Sequence, residues 1–417
     1  MPGKKRKNII IIGGGFAGLQ LLKHIDDDLF NILLIDKLNH HQFQPLFYQV
    51  ATSQIEPGSI SFPLRKVLQN RNNTQIRMAE VTKIHPLEKT IETSIGNFHY
   101  EILIIASGCS TNYFGNDEIK NNTYSLKSTY DAIKIRNNIL LNFESILSAP
   151  PDEREYLYNL VIIGAGPTGV ELAGAFAEIR NNILPKDYPR INFNDLKIIL
   201  IEGSKHTLNA MSNMAKEASE RYLRDMGVDI MTDVMVKSYD GRIITLSNGT
   251  TIKSKQVIWT AGVTGNVIEG LSKDVIVRNR YIVNRYNQVI NYPDIYCVGD
   301  VAYMETPKYP QGHPQVANVA ITQARNLSRN LKNLIEGKPL KEFEYKDKGT
   351  MATIGKKKAV VDLPYLRFRG FFAWLVWMFL HLMLILSVRN KMIIFINWAW
   401  LFFTRDTSLR LILKEQQ

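Results

Sequence analysis

The stretch Asn8-Ile-Ile-Ile-Ile-Gly13-Gly14-Gly15-Phe16-Ala17-Gly18 decides how the chain is read. Ile9 to Ile12 is a continuous apolar run, as a parallel strand buried on both faces needs. Gly13, Gly15 and Gly18 follow with GxGxxG spacing and open a helical stretch, Leu19 to Ile25. The first glycine permits a tight turn, the second lets backbone approach a pyrophosphate, and the third lets helix pack closely on strand. The helix start offers unpaired N–H groups and a positive dipole end to phosphates. A second strand, Asn31 to Ile35, ends at Asp36, 18 positions beyond Gly18. A carboxylate there can accept ribose hydroxyls. An isolated GxGxxG can be a mere glycine-rich turn. Strand, glycines, helix, strand and acid in this order point to a dinucleotide.

The unit recurs. Leu160-Val-Ile-Ile-Gly164-Ala165-Gly166-Pro167-Thr168-Gly169 is again strand then GxGxxG, followed by a helix from Val170 to about Asn182. The strand Lys197 to Ile201 ends at Glu202, 33 positions beyond Gly169. The segment Leu184 to Asp195, with Pro185 and Pro189, reads as a loop that takes up the excess length. An acid at Glu202 bonds a free 2′-hydroxyl and repels a 2′-phosphate, which favours NADH over NADPH, although Lys205 and His206 are close by. Two nicotinamides have no useful chemistry between them. One flavin and one nicotinamide do, because a flavin accepts a hydride and then releases electrons singly or as a pair. The bland alternative is a duplicated scaffold with one dead site.

Three further strand ends carry small residues: Tyr100 to Gly108 with Ala106 and Gly108, Gln256 to Gly262 with Ala261, and Asp294 to Ala302 with Gly299 and Asp300. In a doubly wound sheet such ends border the cofactor crevice. A helix is expected from Gln315 to Leu334. The length of 417 residues suggests two or three domains, and 45% hydrophobic against 22% charged residues excludes a largely disordered chain. Cys109 and Cys297, 188 positions apart, form no CxxC or four-cysteine zinc pattern. His40 and His41 have no partner carboxylate, so packing at a cofactor is expected and no metal. The basic start MPGKKRKNIIIIGGG has too short an apolar run for an export signal. The net charge of +12 asks for an anionic partner. No zinc-finger or RNP-like signature supports nucleic acid.

The order GxGxxG, acid, Ala-Ser-Gly, GxGxxG, Thr-Ala-Gly, Val-Gly-Asp is similar to that of the two-dinucleotide flavoprotein superfamily. Longer segments narrow the likeness. His40-His-Gln-Phe-Gln44-Pro-Leu-Phe-Tyr48-Gln-Val-Ala-Thr52, Gly164 to Gly174 with Glu171, Gln311 to Gln323, Lys348-Gly-Thr-Met-Ala-Thr-Ile-Gly355 and Arg369 to Trp400 resemble type II NADH dehydrogenases. The resemblance runs nearly end to end. It implies an α/β fold with two Rossmann-like doubly wound domains and a C-terminal amphipathic membrane-binding helical element. It implies a discontinuous FAD domain (1–125 and 285–340), an NADH domain (126–284) and a membrane-anchoring region (341–417). In such enzymes NADH gives a hydride to FAD, and two electrons pass to a membrane quinone without proton pumping.

The implied FAD residues are Gly13, Gly15, Gly18, Asp36, Gln44, Ala106, Gly108, Gly299 and Asp300. Those for NADH are Gly164, Gly166, Gly169, Glu202, Ala261 and Gly262. Glu171 and Lys348 are implied as catalytic. By chemistry alone Glu171 reads as a first-turn carboxylate complementing a helix dipole, and Lys348 as a surface charge. The quinone segment departs from the family's A-Q-x-x-x-Q pattern. Gln315 precedes it, Asn318 keeps an amide on a shorter arm, and Thr322 keeps only a hydroxyl. That departure keeps open another electron acceptor, or a non-enzymatic NADH-responsive flavoprotein. Sulfide:quinone oxidoreductases and disulfide reductases need cysteine pairs that this chain lacks.

Residues 371–388 form 18 uncharged positions, and Met392 to Thr404 a second apolar run of 13. Trp374, Trp377, Trp398 and Trp400 suit headgroup depth, and Arg367, Arg369, Arg389 and Lys391 flank the runs. Two helices lying in the interface are expected, rather than one crossing the bilayer. The resemblance also permits a homodimer through this region. Peripheral attachment at the cytoplasmic face of a bacterial inner membrane is the expected location.

Overall fold

The isoleucine runs become the central strands of two separate sheets. The computed structural model describes residues 6–404, 406 and 409–412. It divides into two compact units: 1–42, 62–110 and 263–347 form the first, and 43–61, 111–262 and 348–417 the second.

In the first unit the strand order is Ile295–Cys297, Ile102–Ile105, Lys7–Ile12, Phe30–Asp36, Thr74–Met78, all parallel. Ile12 pairs with both Ile35 and Ile105, so the strand ends align beside the glycine turn. Alternate residues feed different cores. Ile10, Ile12, Ile35, Leu103 and Ile105 pack on one side, and Ile9, Ile11, Ile32, Leu34 and Ile104 on the other. This is why the run is uniformly apolar rather than alternating. Helices Phe16–His24 and Ala317–Glu336 flank the sheet.

The second unit repeats the order: Tyr124–Ser125, Gln256–Trp259, Asn159–Ile163, Lys197–Ile201, Val228–Met231, again parallel. Ile163 pairs with Ile201 and Trp259. The segment read as a loop from Leu184 to Asp195 opens instead with a one-turn helix, Leu184–Asp187. The repetition also goes further than the glycine motifs indicated. An antiparallel three-strand meander precedes the small-residue strand in each unit: Val81–His85, Thr90–Thr93 and Gly96–His99 in one, and Val236–Tyr239, Ile243–Leu246 and Thr251–Lys253 in the other.

Also in the second unit, Thr350–Gly355, Lys358–Asp362 and Arg367–Arg369 form an antiparallel sheet. Two helices follow it, Phe371–Leu384 and Val388–Thr404. The Pro167–Asn182 helix lies against Thr350–Gly355 so closely that a Cβ on Gly174 would overlap the Ile354 carbonyl. Among the described residues no helix is long and apolar enough to cross a membrane. Trp377 and Trp398, expected at headgroup depth, are instead buried, whereas Trp400 is exposed. Both buried rings face inward because the short segment 47–54 supplies them with a partner surface. The limits drawn from sequence follow ligand assignment and those of the units follow packing. They differ at 43–61, 111–125, 263–284 and 341–417, of which 341–347 falls in the first unit and 348–417 in the second.

Candidate functional site

The two glycine turns are built alike. Gly13 (φ 102°) donates its N–H to Ile35 O at 2.8 Å, and Gly164 (φ 97°) does the same to Ile201 O at 2.8 Å. A Cβ on Gly18 would overlap the Gly13 carbonyl, and one on Gly169 the Gly164 carbonyl. At Gly15 and Gly166, which cap the two helices, a Cβ would meet nothing within 4 Å. Crowding at the outer glycines and open space at the middle one fit a pyrophosphate approaching each turn.

The acids at the ends of the second strands bind their own loops. Asp36 Oδ2 accepts from Gly14 N at 2.5 Å and Oδ1 from Leu38 N at 2.6 Å. Glu202 Oε2 accepts from Ala165 N at 2.6 Å and Oε1 from Ser204 N at 2.8 Å. Gly14 and Ala165 occupy the same place in their motifs. Each carboxylate clamps its glycine turn and retains lone pairs for a ribose. Burial raises the Asp36 pKa, an effect opposed by the N–H groups of Gly14 and Leu38. His206, close to Glu202 in sequence, has its Nδ1 3.2 Å from Glu220 Oε1. His41 is buried with Nδ1 3.0 Å from Gly14 O, and burial lowers its pKa to about 4. Among the described residues no cluster of acid, histidine and cysteine side chains could hold a metal.

Around Asp300 the expected residues are drawn together within the first unit. Gln315 Nε2 donates to Asp300 O at 2.9 Å, and Cys109 Sγ to Asp300 Oδ2 at 3.0 Å. Gly299 N donates to Gln323 Oε1 at 2.8 Å, with Gln323 fully buried. Thr322 Oγ1 donates back to Asn318 O at 2.6 Å, so its proton is held by its own helix. Ala106 stands beside Gly13, and in the second unit Ala261 stands beside Gly164. Gly108 and Gly262 adopt positive φ, 69° and 75°. Gln44 is exposed at the start of a 3₁₀ turn, and Lys348 is exposed ahead of Thr350–Gly355.

A cavity of about 300 Å³ lies within the second unit. Glu171, Tyr48, Gln49, Thr353, Trp377 and Trp398 line it. Glu171 sits in the second turn of the Pro167–Asn182 helix and is buried. Burial raises its pKa to about 8, so at neutral pH it holds a proton. The Thr353 N–H, 3.4 Å from Oε1, opposes this weakly. The Trp377 indole N–H, which has no hydrogen-bond partner elsewhere among the described groups, opposes it further. Trp398 Nε1 donates to Gln49 Oε1 at 2.8 Å, and Gln49 Nε2 donates to Tyr48 Oη at 3.0 Å. The amide is thereby fixed in one orientation, which leaves the Tyr48 proton to point elsewhere. Burial keeps that phenol protonated, and the Glu178 carboxylate adds to the effect. His381 stacks on Trp377 with centroids 4.0 Å apart, and burial lowers its pKa to about 4. Of this group the sequence placed only Glu171 at the site, and read Trp377 and Trp398 as interfacial. Tyr48 and Gln49 lay inside a quoted segment, but no local spacing marks them.

These features define a flavoprotein-type oxidoreductase scaffold with two dinucleotide crevices. Residues 7–324 match the pyridine nucleotide-disulphide oxidoreductase family, and residues 348–406 the NDH2 C-terminal domain family. The chain is 33% identical to the type II NADH:quinone oxidoreductase Ndh of Mycobacterium tuberculosis, covering 99% of this chain and 91% of that protein. It is 29% identical to external NADH-ubiquinone oxidoreductase 2 of Saccharomyces cerevisiae mitochondria, covering 98% and 83%. NDH2 from Plasmodium falciparum in complex with NADH has the same fold, with TM-score 0.91 at 22% identity over 98% of this chain and all of that one. The chain belongs to the type II NADH:quinone oxidoreductases and is an enzyme of that family. That sets aside the non-enzymatic alternative.

Proposed function

We propose that the crevice at Gly13, Gly15, Gly18 and Asp36, completed by Ala106, Gly108, Gly299 and Asp300, holds FAD, to which the family resemblance also assigns Gln44. On this reading Gly164, Gly166, Gly169, Glu202, Ala261 and Gly262 hold NADH. FAD, when bound, supplies a two-electron acceptor between NADH and a quinone. The observation that carries the quinone assignment is Glu171, a buried carboxyl that keeps its proton at neutral pH beside an aromatic cavity of about 300 Å³. A quinone ring fits such a volume and surface. Tyr48 donates a hydrogen bond to one quinone oxygen, and Glu171 delivers a proton.

The balance requires that proton. Overall, NADH, one proton and a quinone give NAD⁺ and a quinol. The hydride carries two electrons and one proton, so the second proton comes from a protein acid or solvent. Lys348 would supply positive charge toward the bound FAD. Gln315, Asn318 and Thr322 are also assigned to quinone on this reading, with Asn318 and Thr322 a tolerated replacement of two glutamines.

The exposed faces of Phe371–Leu384 and Val388–Thr404 support peripheral attachment to a bilayer, where quinone is dissolved. The cytoplasmic face of a bacterial inner membrane, where NADH is found, goes with this reading, as does a homodimer through the same region.

Anaerobic stopped-flow at the flavin band near ~450 nm tests the scheme. NADH should bleach the band, and a menaquinone or ubiquinone analogue should restore it. In Glu171→Gln the bleaching should persist and the recovery slow by about 10²-fold, the usual size of a lost proton donor. Equal recovery in both proteins would remove Glu171 from the reaction.

A further inference from the structure

A second cavity in the same unit, about 30 Å³, is lined by a buried guanidinium that has no ion-pair partner among the described residues. Arg136, on the Thr129–Ser148 helix, is 3% exposed. Its Nε and Nη2 have no hydrogen-bond partner among the described residues. The buried Arg280 and the half-buried Arg180 are satisfied by carbonyls. Arg280 donates to Ala302 O and His313 O, and Arg180 to Leu196 O, Met226 O and Gly227 O. Arg136 instead lines a cavity walled by Leu160, Phe176 and Ile198, with no Asp or Glu among its lining residues. Arg410 lines it too but is paired with Asp187 and Asp406, which leaves Arg136 as the lining cation without an ion pair among the described residues. Ser53 and Gln256 add a hydroxyl and a primary amide to the wall.

Arginine cannot shed its proton, so burial cannot be relieved by neutralisation as it can for Glu171. Water fills hydrogen bonds but cancels no charge. One guanidinium balances one negative charge, and 30 Å³ admits about one small ion or two waters. We infer that this cavity binds a small monovalent anion of the halide class, held by Arg136 with donors from Ser53 and Gln256. The site is separate from both dinucleotide crevices and from the quinone assignment. Its consequence reaches the latter, because Ile179 and Ile183 line both cavities. Ala51 to Ser53 also continue the segment that carries Tyr48 and Gln49. The anion thus braces the elements that shape the larger cavity.

The test compares thermal unfolding of the full-length, FAD-loaded protein in chloride and in gluconate at equal ionic strength. Bromide-soaked crystals of the wild type are examined in parallel for anomalous scattering. The expected result is a melting temperature that rises by about 3 °C between 1 and ~100 mM halide, as ligand linkage requires. Arg136→Met should lose that dependence and, in gluconate, match or exceed the wild type, since an apolar side chain of similar length removes the unpaired charge. An anomalous peak should lie within hydrogen-bond distance of Arg136. Ordered water alone at Arg136, or the same halide dependence in Arg136→Met, would overturn the inference. So would bromide in the crystal without any halide effect on unfolding, which is an adventitious ion only. If Arg136→Met does not fold, the wild-type scattering and halide titration decide.

Discussion

At the scale of single residues, the most informative group is Glu171. Its folded pKa is about 8 and its usual value 4.5, so between those values the folded state keeps a proton that the unfolded chain has released. Stability therefore falls as pH rises from about 4.5 to about 8, because the native state binds more protons there. Wild type should lose melting temperature toward pH 8, and Glu171→Gln should show a flatter curve. Identical curves would mean that the carboxyl is not buried as described. The quinone half-reaction should decline above pH about 8 for the same reason, as the donor loses its proton. Glu202 makes a different prediction. Its two oxygens accept from Ala165 N and Ser204 N. In Glu202→Gln one of them becomes an amide N–H₂ facing a backbone N–H, so one of these two backbone hydrogen bonds is lost, along with the negative charge. The ratio of kcat/KM for NADH over NADPH should fall by about 10-fold, one bond to a charged group being worth about 1.5–3 kcal/mol. An unchanged ratio would show that Glu202 serves the turn alone.

At the scale of elements, the packing of the Pro167–Asn182 helix on Thr350–Gly355 is set by Gly174. Alanine there gains up to about 1 kcal/mol of helix propensity. Its Cβ, however, would overlap a backbone carbonyl, which cannot rotate away, so helix and strand must separate. Overpacking of this kind costs about 1–3 kcal/mol and outweighs the gain. Gly174→Ala should therefore unfold at lower denaturant concentration, and because Ala175 and Thr353 line the cavity, it should also raise the quinone KM. What was legible in the sequence follows the same division. The glycine turns, their strands and their terminal acids were readable because each is a local pattern, completed within a few turns of chain. The meanders were not, since Val81–His85 and Val236–Tyr239 carry no distinctive turn motif or unbroken apolar run. Nor was the cavity, because Tyr48, Glu171, Thr353 and Trp398 come from four remote segments. Trp377 and Trp398 resemble interfacial tryptophans in composition alone. Only the hydrogen bond from Trp398 to Gln49 and the packing of Trp377 on Tyr48 and His381 reveal them as cavity walls.

At the scale of the whole molecule, a duplicated α/β architecture provides two crevices, and the C-terminal addition gives the second unit a surface that water alone does not suit. Phe372, Phe395, Trp400 and Phe403 are 74%, 52%, 62% and 82% exposed. Arg367, Arg369 and Arg389, at the edges of this region, are exposed as well. Such a patch beside cations, in a chain of net charge +12, fits an anionic bilayer surface rather than solvent. Apolar insertion and headgroup attraction make distinguishable contributions. Each flanking cation adds roughly 1 kcal/mol on anionic lipid and is screened by salt, whereas buried phenylalanine area is not. In co-sedimentation with phosphatidylglycerol vesicles the wild type should pellet and be only partly released by salt. A Phe372→Ser, Phe395→Ser, Phe403→Ser variant should be released almost completely. These rings are not assigned to the cofactor crevices, so flavin bleaching by NADH should keep its rate, while turnover with a lipid-dissolved quinone falls and turnover with a short-chain soluble quinone survives. Wild-type-like sedimentation of the triple variant would move the docking surface elsewhere on the molecule.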